Sequence, residues 1–398
     1  MKIALLHYST WPEMGGVENM LRDQANLLVL MGHQVKVLSG MGEDLNEGYE
    51  FVLMPELSPD FELNKNVRAV LDRGQSDQNF SQYRSVLVEA LKRELTGFDV
   101  TLVHNVFTMH FNLALTLALH DISSQHKLVA WTHDLTAGNS DFALPNPTQP
   151  PWSLMRMSSS HVKYVTTSDP RAKEMQTHLK LATPPLVIPN MVDPSRIFNL
   201  SPEMRESLES LSIPWRDFVF LLPAKLMVRK NIDFAIEVIK KIREEGRNPL
   251  LLITAAQYGN SPASQHYGTF LRQSLPKELL NHVVFVSDFF TVRDDIMRDL
   301  YLMSDCLLFP SKQEGFGLPI LEAALHRMPV LSSDVPAFHA LEGLGSYLLD
   351  NISKLPEALV WLENQATFRQ QRRCRRLFDP VIVYTKYYES LLAAYAPQ

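Results

Sequence analysis

Short apolar, β-branched runs alternate along this chain with stretches whose apolar residues recur at helical spacing, the pattern of βαβ units around a parallel sheet. In the first half the runs that predict strands are Ile3–Leu6, Val35–Leu38, Phe51–Leu53, Val100–Val103, Lys127–Trp131, Tyr164–Thr167 and Leu186–Ile188. In the second half they are Val219–Leu222, Leu250–Ile253, Val283–Val286, Cys306–Phe309 and Val330–Ser332. Each half therefore predicts an α/β, doubly wound, Rossmann-like domain, and the pair is expected to face a cleft. Pro184, Pro185, Pro189 and Pro194 crowd the junction, where fixed φ angles and missing N–H donors stop any helix or central strand. This places an N-terminal, acceptor-binding domain at residues 1–190 and a C-terminal, donor-binding domain at 191–398, with a closing apolar helix at about 381–394 that can pack back on the first. Pro145, Pro147, Pro150 and Pro151 mark a long loop inside the first domain.

The chain has 398 residues, 45% hydrophobic and 21% charged, which excludes collagen-like, disordered and coiled-coil classes and is too long for one core. Net charge is −6, with 15 Lys and Arg against 21 Asp and Glu in residues 1–195 and 23 against 23 afterwards. An acidic first half argues against nucleic acid or anionic lipid as its main partner, since both require clustered cations. The exception is the group Arg369, Arg372, Arg373, Arg375 and Arg376, read first as a solvated helix face, with a lipid or phosphate patch, and hence peripheral membrane contact, as the alternative. Cys306 and Cys374 lie far apart and build neither a disulfide framework nor a thiolate zinc site. No signal peptide is predicted over the first ten residues, and nowhere do eighteen apolar residues run together. A soluble, cytoplasmic protein is the expectation.

Two segments carry chemistry. Met14-Gly15-Gly16-Val17-Glu18 follows the first strand and opens a helix with Met20, Leu21, Leu27 and Leu28 on one face; a glycine turn before a helix N-terminus admits an anion close to free N–H groups. The segment from Pro310 to Ala323 follows the strand Cys306–Phe309, on the sheet edge where open α/β folds bind ligands. Pro319 suits the first helical position, so Phe316, Gly317 and Leu318 are expected to present N–H groups to a diphosphate. Glu314 and Glu322 flank that turn; carboxylates repel phosphate, so they are expected to accept hydrogen bonds from sugar and ribose hydroxyls. Neither G-x-G-x-x-G nor a P-loop is present.

Here the sequence resembles the GT-B glycosyltransferases, specifically the retaining family 4. Glu314 to Glu322 match its E-G-F-G-L-P-x-x-E hallmark, Gly15 and Gly16 its glycine-rich first loop, and His133 in Trp131-Thr-His-Asp its histidine after a middle strand. Ser168 matches a serine before a helix, Ile188-Pro-Asn190-Met-Val-Asp193 a linker of the form I-P-N-G-V-D, and Leu226 to Asn231 a G-R-L-x-x-x-K-G segment. Lys225 stands where the family usually carries arginine, with Arg229 and Lys230 beside it, and Met191 replaces the linker glycine.

The resemblance implies metal-independent transfer of a hexose from a nucleotide sugar, UDP- or GDP-linked, to a hydroxyl acceptor on a sugar, glycan or glycolipid, with retained anomeric configuration and no cofactor. Under it the catalytic group comprises His133, Lys230 and Glu314; Gly15, Gly16, Lys225, Arg229, Phe316, Gly317, Leu318 and Glu322 bind the donor. Trp11, His104 and Asn105, at predicted strand ends, are expected on the acceptor side, and no metal ligands are expected because no Asp-x-Asp is present. A GT-B phosphorylase or epimerase, or a non-catalytic nucleotide-sugar-binding subunit, would fit the same fold.

Overall fold

The structure is a computed structural model that describes residues 1–12, 15–255, 262–341 and 343–397; Met14 of the glycine segment lies outside them. The chain forms two compact units, Met1–Val192 together with the stretch from Val383, and Asp193–Ile382.

In the first unit the strands, in chain order, are β1 (Lys2–His7), β2 (Gln34–Ser39), β3 (Glu50–Leu53), β4 (Val100–His104), β5 (Leu128–Thr132), β6 (Val162–Thr166) and β7 (Leu186–Val187). They pair in parallel in the order β3-β2-β1-β4-β5-β6-β7. β4 and β5 are buried at every position. Helices cover both faces, so these strands read as continuous apolar runs rather than alternating ones. The order reverses between β1 and β4, which makes the carboxyl ends of those strands the topological switch point.

The second unit repeats the plan with β8 (Phe218–Leu222), β9 (Pro249–Ile253), β10 (Val283–Phe285), β11 (Cys306–Phe309), β12 (Val330–Ser332) and β13 (Ser346–Leu348), ordered β10-β9-β8-β11-β12-β13. Its switch point lies between β8 and β11. β13 has no counterpart among the sequence-based expectations: it is a three-residue edge strand, exposed at both ends, preceded by Gly343 and Gly345 in left-handed conformations. It therefore carries almost no apolar signal.

The closing segment is not one regular helix. A helical turn at Pro380–Val383 passes through a π-helical turn at Tyr384–Tyr388 to Glu389–Ala393. Val383, Tyr388, Leu391 and Leu392 are buried in the first unit's core beside Ile3, Leu5, Leu28 and Trp131.

The arginine group is a solvated helix face only at Arg369 and Arg373, which are exposed; the other three are engaged. On the helix Ala366–Phe378, Arg372 pairs with Asp217 at 2.8 Å, Arg376 pairs with the same carboxylate, and Arg375 grips Asp305 through two bonds of 3.0 and 2.9 Å. Asp217 and Asp305 immediately precede β8 and β11, and each also accepts a backbone N–H, from Asn248 and Val219. These ion pairs fasten the helix to the amino ends of the sheet, opposite the end that carries the candidate site. No helix among the described residues is long and apolar enough to cross a membrane.

Candidate functional site

In the second unit the loops leaving the switch-point strands are joined to each other. After β8 the chain turns through a short 3-10 helix, Val228–Lys230, ending on Asn231 in a left-handed conformation. After β11 it runs through 310–317 into the helix Leu318–Leu325. The Lys312 N–H donates to the Arg229 carbonyl at 2.8 Å, Arg229 donates to the Gln313 carbonyl at 2.9 Å, and both Arg229 (3.4 Å) and Lys230 donate to Glu314.

The Lys230 side chain is 11% exposed, as is that of Glu314. A lysine so enclosed requires a counter-charge, and Glu314 supplies it. Burial acts to raise the Glu314 carboxyl, but the Lys230 bond and the Lys230 and Arg229 charges outweigh it and hold the group below the ordinary carboxylate range. The expectation that Glu314 waits for a sugar hydroxyl is therefore modified: both of its oxygens are engaged by the cations beside it. Lys225 is exposed on the same loop.

Gly317 is the N-cap of the following helix with φ 100°, a conformation that disfavours any side chain, and a Cβ there would lie 2.9 Å from the Phe338 ring. Leu318 is the first helical residue and Pro319 the second, one place later than the sequence predicts. The shift leaves the Gly317 and Leu318 N–H groups at the helix mouth, where no described residue accepts from them, and Pro319 has no donor to leave unpaired. Phe316 and Leu318 are exposed on the rim. Glu322, on the solvent side of the helix, accepts the Tyr301 hydroxyl at 2.6 Å, which leaves its other oxygen available.

In the first unit, β1 and β4 end on His7 and His104, and His133 follows β5. His7 Nδ1 donates to the His104 carbonyl at 3.0 Å, and its Nε2 lies 3.7 Å from Glu18. Glu18 also accepts the Ser9 hydroxyl at 2.7 Å. Burial acts to raise its carboxyl, but His7 and Ser9 prevail and lower it to about 2, so it is an anion at neutral pH. Gly15 is the helix N-cap, and a Cβ on it would collide with the Glu18 carboxylate. This is a local reason for glycine there; Gly16 opens the helix with free space around it.

His7, Tyr8, Glu18, Asp60, Asn105 and Phe111 line a pocket of about 360 Å³. Glu18 did not emerge as a site residue from the sequence, although a carboxylate three residues after the glycine N-cap was a signal for it. A larger cavity of about 730 Å³ in the second unit, lined by Trp215, Arg216 and Phe289 among others, shares no residue with the switch-point loops. The Arg216 guanidinium is spent on the Leu211 and Asn281 carbonyls and on Asn248.

Of the expected acceptor contacts, His104 changes role, while Asn105 lines the pocket described above and also holds a backbone turn. His104 has no exposed surface and both ring nitrogens are engaged, with His133 Nε2 at 3.1 Å and Gln24 Oε1 at 2.8 Å; it supports His133 and touches no ligand. Asn105, in a left-handed conformation at φ 60°, spends its amide oxygen on the backbone N–H groups of His133 (2.8 Å) and Asp134 (3.1 Å). It fixes the loop on which His133 sits. Trp11 is half-buried with the Arg22 guanidinium 5.3 Å from its ring centre, and Arg22 is paired with Glu47.

Burial, aided by the His7 charge, lowers His133 to about 4, and burial with the charges of His133 and His7 takes His104 well below its ordinary value. Both rings are neutral at pH 7. Below the ordinary value of 6.5 an unfolded chain binds protons that these folded rings refuse, so their contribution to stability is lost as pH falls from about 6.5 towards 4. Denaturant titrations at about pH 7 and about pH 5 are expected to show the midpoint moving to lower denaturant at the acid value, as linkage requires.

Residues 217–365 match the family described as glycosyl transferases group 1, and residues 14–196 match glycosyltransferase family 4. The chain belongs to glycosyltransferase family 4. The enzyme is 24% identical to mannosylglucosylglycerate synthase of Thermotoga maritima over 85% of its own length and 82% of that protein. It is 23% identical to the uncharacterized glycosyltransferase MJ1607 of Methanocaldococcus jannaschii over 91% of its own length and 87% of that protein. The glycosyltransferase is also 28% identical to the Escherichia coli serotype-specific mannosyltransferase WbdA over 38% of its own length and 19% of that protein. Among solved structures, that of Anabaena HepE in complex with UDP is 17% identical, with a TM-score of 0.39 over 99% of this glycosyltransferase and 100% of that chain.

Proposed function

We propose that this glycosyltransferase moves a hexose from a nucleoside diphosphate sugar to a hydroxyl acceptor, with retained anomeric configuration and without a metal ion. The observation that carries the reading is the cation pair Arg229 and Lys230, held on Glu314 beside the helix mouth at Gly317 and Leu318.

Transfer breaks the bond between the anomeric carbon and the diphosphate oxygen. Positive charge then develops on the sugar ring and negative charge on the leaving diphosphate. Lys230, Arg229 and the N–H groups of Gly317 and Leu318 stabilise the leaving charge without reorganising. The free oxygen of Glu322 accepts ribose hydroxyls. His133, neutral at working pH, adds no positive charge beside the ring and offers hydrogen bonding to the sugar. The acceptor enters the pocket of His7 and Glu18, whose carboxylate takes hydrogen bonds from its hydroxyls. The acceptor oxygen bonds to the anomeric carbon on the face the diphosphate leaves, and its proton passes to the departing phosphate oxygen, which gives retention.

Two relatives, a mannosylglucosylglycerate synthase and a serotype-specific mannosyltransferase, put mannose first among the hexoses to test. Nucleotide release is to be measured with GDP-mannose, UDP-glucose and other UDP- and GDP-hexoses. Because fixed cations carry the leaving charge, turnover is expected to be unchanged by EDTA. Loss of activity in EDTA that magnesium or manganese restores would overturn the metal-free mechanism, and no release from any donor would overturn transfer itself.

A further inference from the structure

Four side chains of the first unit form an unbroken hydrogen-bond chain that starts in the core and ends at His133. Tyr388, in the π-helical turn, accepts from Gln24 Nε2 at 2.6 Å; Gln24 Oε1 faces His104 Nε2 at 2.8 Å; His104 Nδ1 faces His133 Nε2 at 3.1 Å. Tyr388, Gln24 and His104 have no exposed surface, and Trp131, also fully buried, packs against both the His104 and Tyr388 rings.

With the Gln24 amide nitrogen on the Tyr388 hydroxyl, the directions of the other bonds follow from what their atoms can do. The Gln24 nitrogen is committed to Tyr388, so its carbonyl oxygen meets His104, and a carbonyl only accepts. His104 Nε2 therefore carries the proton. A neutral imidazole has one N–H, so His104 Nδ1 is bare and must accept from His133 Nε2. His133 in turn carries its proton on Nε2, and its Nδ1, for which no described residue supplies a partner, is a bare acceptor on a ring that remains partly exposed.

We propose that Gln24 and Tyr388 are positioning residues for the transfer reaction: through His104 they fix His133 as the Nε2–H tautomer, so that its Nδ1 accepts a hydrogen bond from a hydroxyl of the donor sugar. This rests on the function proposed above. It makes His133 a selector for a hydroxyl, a group that donates, at the sugar position it faces; a methoxy or deoxy sugar offers that nitrogen nothing. The low proton affinity of both rings agrees with one proton on each.

The test uses the full 15N-labelled chain. Long-range proton–nitrogen spectra of the imidazoles, recorded without substrate, are combined with kcat/KM for nucleotide release from the donor that proves active. Wild-type His133 is expected to show an unprotonated Nδ1. Gln24→Glu places a carboxylate on His104 Nε2 and favours the imidazolium, which donates from both nitrogens; His133 must then accept at Nε2 and carry its proton on Nδ1. With the acceptor lost, kcat/KM is expected to fall about tenfold, the worth of one hydrogen bond.

Tyr388→Phe removes only the hydroxyl that orients the Gln24 amide, and is expected to give both tautomers in one spectrum. It decides the matter should Gln24→Glu fail to fold. Wild-type His133 protonated on Nδ1, or a tautomer switch at unchanged rate, overturns the proposal. The spectra need no substrate, so the expected tautomer in a chain that releases nucleotide from no donor counts against the proposed function and removes the catalytic consequence with it.

Discussion

Lys230→Ala is expected to lower kcat by about 10²–10³, the loss typical when one preorganised stabiliser of a leaving charge is removed. Lys230 is the enclosed member of the pair that meets on Glu314, and water replaces its charge poorly in such a place. Arg229→Ala is expected to cost less, because its guanidinium is 40% exposed and solvent already screens it. Lys230→Arg keeps the charge but spreads it over a planar fork in a space shaped for an ammonium, so partial activity is the expected outcome. Steady-state nucleotide release measures all three, and a thermal melt checks that the second unit is intact. A Lys230→Ala enzyme with wild-type kcat would show that the leaving charge is held elsewhere.

The second large effect concerns stability. Asp305→Ala leaves the Arg375 guanidinium, whose side chain is 10% exposed, without its carboxylate, and removes the acceptor of the Val219 N–H. Burial works against the Arg375 charge, and Asp305 more than offsets it, so Arg375 holds its proton more tightly than an ordinary arginine. Breaking one side of a buried ion pair costs about 3–5 kcal/mol, which for a unit of this size lowers Tm by roughly 10 °C. A melt of the full chain checks it. The double variant Asp305→Leu with Arg375→Met is expected to recover much of the loss, because two well-packed apolar groups pay no desolvation. A single variant that melts with the wild type would mean that the Arg375–Asp305 pair adds nothing net to holding the helix Ala366–Phe378.

Much of the fold was legible in the sequence because parallel strands buried on both faces, such as Leu250–Ile253 and Cys306–Phe309, leave solid apolar runs between turn residues. β13 was invisible for the converse reason, being short, exposed and bounded by glycine. The segment Glu314 to Glu322 was readable as an anion socket from its glycines and its place after a strand. The pairing of Glu314 with Lys230 was not, since a contact across 84 residues leaves no local trace.

The arginine group misled for a similar reason. Five arginines within eight residues look like a solvated face until Asp217 and Asp305, more than 60 residues earlier, are brought against three of them, Arg372, Arg375 and Arg376. Gln24 did leave a signal: it lies four residues after Met20, three after Leu21 and four before Leu28, a polar residue on the apolar stripe of its helix. Such a residue must find a buried partner, but the sequence does not say that the partner lies 364 positions away.

The residence of Tyr388, Leu391 and Leu392 in the first unit's interior has a consequence for biosynthesis. A ribosome makes this chain from the amino end, and domains ordinarily close in the order they emerge. Here the unit that begins first finishes last, because its final interior side chains are translated only after every residue of the other unit. The nascent amino-terminal half must wait, with an unfilled slot beside Trp131, until residues 388–392 have been translated.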